Sequence, residues 1–523
     1  MPIRRPAALL AALLLSAAPP ALAAPPVAHT QAGAVRGTVT AGITSYLGIP
    51  FAAPPLAELR WRPPQAPRAW TGLRPATAFA PACLQTGVSM PGEALPRTSE
   101  DCLYLNVWAP AAGVRAPVMV WIHGGGYTNG ATAMPLYWGD RLARRGVVVV
   151  SVAYRLGPLG YLAHPELTAE SPDATSGNYG LMDQIAALEW VRRNIAAFGG
   201  DPGNVTVLGQ SAGAMSISLL MASPLSAGLF QRAVGQSGGV FEPMQLAPNY
   251  QLAAAEKDGV AYAESVGAPS LAALRRLPGA RLLEGEAGRV SHPVIAPRTL
   301  PLSPYDAYLA GRQNDVPILV GSNAEEGNSL VNLTAVRAAT FADDVTRTWG
   351  PLPPPLIAAY PFSDEAGARR ARSGFERDLR FGWDMWTWAR LQAAANRRPA
   401  YYYRFSQRPP FPEGSPRSGW GAGHFAELWY MFDHLDQEPW AWTASDRRLA
   451  DTMSRYWVNF ARTGDPNGPG LPIWPAFTRE GGEAIDLGEP VTRLRAPVDP
   501  QLRVFDTVYD TVRGAPFGTR PKP

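Results

Sequence analysis

Lysine is almost missing from this chain: of 523 residues only Lys257 and Lys522 are lysine, and the other basic residues are arginines spread along its length. Without a clustered basic stripe, no nucleic-acid partner is expected. Cysteine is as scarce, with Cys83 and Cys102 alone. That excludes a cysteine-rich scaffold and a thiolate metal centre. The histidines (His29, His123, His164, His292, His424, His434) show no ligand spacing, so neither a metal nor another cofactor is expected. No internal repeat, long linker or second apolar span follows the N-terminal region, the Pro-rich stretches Pro351 to Pro361 and Arg408 to Pro416 read as surface loops, and stable membrane insertion is not expected.

The first residues read as a processing signal. Arg4 and Arg5 supply the charged start, Ala7 to Ala17 the apolar run, and Ala21-Leu22-Ala23 a small-residue cleavage site. The run is too short to span a bilayer and is cut by Pro19 and Pro20. Residues 1–23 are therefore expected to be a cleaved signal peptide, and 24–523 a single α/β domain. The protein is expected to be exported, and the use of Arg, Ala and Pro over Lys points to a bacterial periplasm or secretion. In that oxidising setting the nearby pair Cys83 and Cys102 reads as a disulfide closing 18 intervening residues. Such a closure is worth roughly 3 kcal/mol by chain entropy.

Short apolar runs alternate with helical patterns, which implies crossover connections and a large, mostly parallel sheet flanked by helices. The expected central strands are 118–122, 147–152, 205–208, 316–320 and 400–405. Gln184 to Phe198 repeats apolar residues at helical spacing and ends at Gly199-Gly200, a packing helix with a stop. In such sheets ligands bind beyond the carboxyl ends of the strands. Four of those ends carry chemistry. The first runs into His123-Gly124-Gly125-Gly126-Tyr127, another into Gly209-Gln210-Ser211-Ala212-Gly213, a third into Gly321-Ser322-Asn323-Ala324-Glu325-Glu326-Gly327. The fourth leads, after a loop, to Gly421-Ala422-Gly423-His424.

A G-x-S-x-G pattern alone is weak, and Gly235-Gln236-Ser237-Gly238-Gly239 is a second match. Context separates them. After Ser211 the chain can form a helix, as a nucleophile elbow requires, whereas Gly238, Gly239 and Pro243 disfavour one after Ser237.

With these residues in hand the chain resembles the type-B carboxylesterase/lipase family of the α/β-hydrolase fold. The likeness spans nearly all of the mature chain. It includes Tyr46 to Ala52, Arg60-Trp61, Ser99 to Val107, Asn178 to Gln184, Asn459-Phe460-Ala461 and Gly464-Asp465-Pro466. The resemblance implies a serine esterase in which Ser211 attacks the ester carbonyl and His424 shuttles the proton. Glu326 would orient the imidazole; the family's G-x-N-x-x-E-G pattern picks it over Glu325. Gly125, Gly126 and Ala212 would supply oxyanion-hole N–H groups. Ser237 resembles the family's auxiliary second serine, and His123 is expected to brace the glycine turn.

Two departures set the substrate expectation. The 83–102 loop has no Trp, Tyr or Phe to seat a quaternary ammonium. Gln210 stands before the nucleophile where the cholinesterase-like pattern has Glu. Neutral short- to medium-chain esters are thus the expected small-molecule substrates, with water as co-substrate. A long-chain lipase, or a carbamate or amide hydrolase, would use the same triad. The family's non-catalytic adhesion branch is disfavoured, because every catalytic part is present. Oligomeric state is left open.

Overall fold

The computed structural model describes residues 25–110, 115–395, 397–478, 482–496 and 499–520. The signal-peptide expectation, residues 1–23, lies outside the described residues. Eleven strands form one mixed sheet. In chain order they are β1 (Thr38–Thr40), β2 (Ile43–Pro50), β3 (Tyr104–Pro110), β4 (Ala116–Ile122), β5 (Val148–Val152) and β6 (Gly200–Gln210). There follow β7 (Arg232–Gln236), β8 (Ile318–Asn323), β9 (Ala400–Phe405), β10 (Glu483–Leu487) and β11 (Thr492–Arg495). Across the sheet they run β11-β10-β9-β8-β7-β6-β4-β5-β3-β2-β1. The middle, from β5 through β10, is parallel, and the pairs at both edges are antiparallel.

The physical origin is plain in β5, whose Val-Val-Val-Ser-Val is buried at every position. A strand covered on both faces needs no alternation, and β-branched side chains pack well on a pleated surface. The flanking layers are built from helices such as α1 (Tyr179–Asn194), α2 (Ala212–Ala222), α3 (Glu365–Arg377), α4 (Trp383–Ala395) and α5 (Ala444–Thr463). α5 opens on a capping box between Thr443 and Asp446 and stops at Gly464, which takes the left-handed conformation.

Two expectations change at element level. α1 begins at Tyr179, five residues before the apolar repeat, and its last turn, Ile195–Phe198, is 3₁₀. The early turns hide from a hydropathy pattern because they bury Asp183, a charged residue. Pro351 to Pro361, expected as a loop, contains a short helix, Pro354–Ala358, whose leading prolines suit a first turn. Cys83 and Cys102 are joined, and both are buried.

Asp183 earns its burial by pairing with Arg155. Its Oδ2 accepts from the Arg155 backbone N at 3.0 Å and from Nε at 2.8 Å, and Oδ1 accepts from Nη2 at 2.8 Å. This pair ties α1 to the chain leaving β5. Removing one partner strands the other charge in the core. Asp183→Asn is expected to cost about 3–5 kcal/mol of stability, read from the denaturant midpoint. Replacing both residues by apolar ones of similar volume should cost less; equal losses would contradict the pairing argument.

Candidate active site

β6 ends at Gln210, and Ser211 then adopts φ 57°, ψ −128° before α2 begins at Ala212. A non-glycine residue in that region is strained. What holds it is close backbone packing. A Cβ on Gly209 would lie 2.7 Å from the Ile122 carbonyl oxygen, and one on Gly213 would lie 2.1 Å from it. The two glycines let β6 and α2 close onto the end of β4, and the turn thrusts Ser211 outward. Its backbone N–H donates to the Gln236 carbonyl at 2.9 Å.

The next strand supplies a second, differently used serine. Ser237, also at positive φ, directly follows β7 and donates through Oγ to Glu326 Oε1 at 2.5 Å. No helix follows it. Gly238 instead lets the chain pass Ser211, since a Cβ there would meet the Ser211 carbonyl oxygen at 2.3 Å.

Glu326 is fully buried beyond β8. Its Oε1 also accepts from the Asn323 backbone N at 2.8 Å, and its Oε2 lies 2.6 Å from His424 Nδ1. An anion among these donors fixes Nδ1 as the protonated ring nitrogen and leaves Nε2 a proton acceptor. Glu325 points elsewhere, to Arg408 and the Ala422 N–H. The His424 backbone is held by Ser329 Oγ at 2.7 Å.

Gln210 Nε2 lies 3.1 Å from Nε2 and 3.2 Å from Nδ1 of His424. Near-equal distances to both nitrogens place the amide over the ring rather than in its plane. Among the described residues Ser211 Oγ makes no hydrogen bond, so the structure joins Glu326 to His424 directly and sets Ser211 beside them through its neighbour Gln210.

The N–H groups of Gly125, Gly126 and Ala212 have no acceptor among the described residues. Gly125 (φ 109°) and Gly126 (φ 61°) both need glycine's freedom, and a Cβ on Gly125 would strike the Asn129 carbonyl oxygen at 2.2 Å. His123 stacks on Tyr154 and contacts the Gly124 carbonyl oxygen through Nδ1 at 2.9 Å. Burial pushes its pKa down to about 4, so it stays neutral. Among the described residues no group of His, Cys, Asp or Glu side chains could hold a metal.

The model of the carboxylesterase family matches residues 24–349 and 359–503. The chain belongs to the carboxylesterase family. It is 39% identical over 492 residues to the fumonisin B1 esterase of Sphingopyxis macrogoltabida, covering 89% of this chain and 87% of that one. It is 35% identical over 486 residues to the para-nitrobenzyl esterase of Bacillus subtilis, covering 89% and 95%. A solved PNB esterase superposes with a TM-score of 0.79 at 34% identity, covering 92% of this chain and all of the other, and a thermophilic PNB esterase with 0.81 at 33%. The fold is that of these α/β-hydrolases, and the enzyme is a carboxylic ester hydrolase.

The surroundings of this carboxylesterase site hold residues to which the sequence reading gave no role. Glu427, fully buried, accepts from Asn323 Nδ2 at 2.6 Å and from Gln236 Nε2 at 3.1 Å. Asn323 thus bridges the two carboxylates, its backbone on Glu326 and its side chain on Glu427. A lone acid inside the apolar run Phe425 to Phe432 was the available signal. Within the aromatic-rich segment 381–388, Trp383 and Trp388 are core, whereas Phe381 stacks on His424. A cavity of about 390 Å³ beside the loop after Ser237 is lined by Glu242, Gln251, Tyr305 and Arg513 among others, and by none of Ser211, Glu326, His424 or Glu427.

Burial, then the nearby Glu326, pushes the Glu427 carboxyl up to about 7 from the ordinary 4.5, against its amide donors. A raised carboxyl adds stability that is fully present below the unfolded value and lost as pH rises to about 7. Glu427→Gln removes that dependence. Its stability deficit against wild type should therefore shrink by up to about 3 kcal/mol between pH 5 and pH 8. A deficit independent of pH, in parallel unfolding curves, would contradict the assignment.

Proposed function

We propose that this carboxylesterase cleaves neutral esters of short to medium acyl length through a covalent acyl-enzyme. Ser211 is the nucleophile, His424 the general base and acid, and Glu326 the group that orients and balances the imidazolium. The observation that carries this reading is the 2.6 Å contact between Glu326 and His424, beside a serine pushed out of a strained turn.

As Ser211 Oγ bonds to the ester carbonyl carbon, its proton passes to His424 Nε2 and the carbonyl oxygen becomes an oxyanion. The unengaged N–H groups of Gly125, Gly126 and Ala212 receive that charge. His424 then returns the proton to the departing alcohol, leaving the acyl group on Ser211. Water repeats the sequence and releases the acid. A hydrogen bond from Ser211 Oγ to His424 Nε2 forms on substrate binding, as catalytic hydrogen bonds often do. Ser237 assists by holding Glu326.

Neutral substrates follow from Gln210, which lays an uncharged amide on the base, and from the absence of an aromatic residue between Cys83 and Cys102. A long-chain lipase or a carbamate or amide hydrolase would share this triad, and a substrate series separates them. Cleavage of residues 1–23 and export to the periplasm or medium complete the reading, supported by the N-terminal charge and apolar pattern.

The test is hydrolysis of p-nitrophenyl esters from acetate to palmitate. Turnover should peak at short chains, and Ser211→Ala should lower kcat by roughly 10⁶. A peak at long chains would make the enzyme a lipase, and near-normal turnover by Ser211→Ala would remove Ser211 from its role.

A further inference from the structure

Residues Asp378–Gly382, between α3 and α4, form a single turn of π-helix. Such a turn is rare and costs hydrogen-bond geometry, so something must hold it. Asp378, fully buried, accepts from Arg377 Nε at 2.7 Å, from Arg377 Nη2 at 2.9 Å and from Tyr360 Oη at 2.6 Å. Gly382 makes room, because a Cβ there would lie 2.7 Å from Asp378 Oδ1. Arg377 also donates to the Ala324 carbonyl oxygen at 3.3 Å, at the start of the segment that carries Glu326. One anchor thus fixes both the acid's loop and the π-turn.

The turn delivers Phe381. Its ring lies parallel to the His424 imidazole, with centroids 4.7 Å apart and planes 2° from coplanar. Phe425 meets the same imidazole edge-on at 4.5 Å. Continuous α-helix through 378–382 would rotate Phe381 off that face. The Gln210 amide lies over the imidazole as well, so the base is bounded by an aromatic face, an amide and, at Nδ1, a carboxylate.

We propose that Phe381 is a positioning residue for the esterase reaction, holding the His424 ring in plane and stabilising it once it becomes an imidazolium. This rests on the reading of His424 as the base. The charge matters because it exists only after the proton leaves Ser211. A cation over an aromatic face is attracted by the ring quadrupole, whereas a neutral imidazole gains little. Stabilisation present only in the transition state raises kcat and leaves ground-state binding alone.

The test compares Phe381→Leu, Phe381→Met and Phe381→Tyr with wild type on p-nitrophenyl acetate, measuring kcat, KM and thermal midpoint, with Ser211→Ala alongside. Leu and Met keep apolar bulk and lose the face, and Met, being unbranched, keeps the test alive should Leu fail to fold. Both are expected to lower kcat roughly three- to thirtyfold with KM within about twofold, a range set by cation–π strengths. Tyr, which keeps the face, is expected to recover most of that loss. Wild-type kcat in folded Leu or Met, a rise in KM alone, or Tyr as slow as Leu would overturn the proposal. Serine-dependent wild-type turnover beside any of these results leaves the functional reading standing. Wild type without serine-dependent turnover overturns both.

Discussion

The meeting of β4, β6 and α2 at the Ile122 carbonyl oxygen is the constraint on which the site depends. Two glycines, 209 and 213, let three pieces of backbone approach where a single Cβ would collide. Ser211, caught between them, takes a conformation that L residues avoid, and the strain is sustained because sheet and helix over-determine it. The cost is repaid in geometry. The same close approach brings Gly124, just past the end of β4, against the serine turn, where a Cβ on it would lie 2.7 Å from the Gln210 carbonyl oxygen and 2.8 Å from the Ser211 Cβ. Gly238 then carries β7's continuation past Ser211 on the other side.

Around this turn the protein buries two carboxylates with very different company. Glu326 has a serine hydroxyl, a backbone N–H and the imidazole, three donors on one group. Glu427 has only side-chain amides and a like charge nearby, and burial dominates it. Asn323 spans both and also donates to the Gly423 carbonyl oxygen at 2.7 Å, which ties the acid segment after β8 to the histidine loop. Few of these contacts touch a substrate; their effect is to keep His424 within reach of both Glu326 and the serine turn.

Much of this was legible beforehand, for physical reasons. β5 and β9 match their expected spans closely, because strands buried on both faces leave long apolar runs. Glycines at strand ends are legible too, since few other residues tolerate such close contacts. Neither the early start of α1 nor the place of Glu427 was visible, because each turns on a buried charge whose partner is distant in sequence. The π-turn was equally hidden: it depends on Asp378 meeting Tyr360 and Arg377, which periodicity does not encode. The helix expected after Ser211 is present at Ala212–Ala222, and none follows Ser237.

The claim that most needs direct testing is that Ser211, out of two glycine-flanked serines, is the group the site activates. Reaction of the native protein with a fluorophosphonate ester, followed by peptide mass mapping, reads this without any assumption about substrate. The account predicts one phosphonyl adduct, on the peptide carrying Ser211, formed together with loss of esterase activity. An adduct on Ser237, or inactivation with Ser211 unmodified, would contradict it.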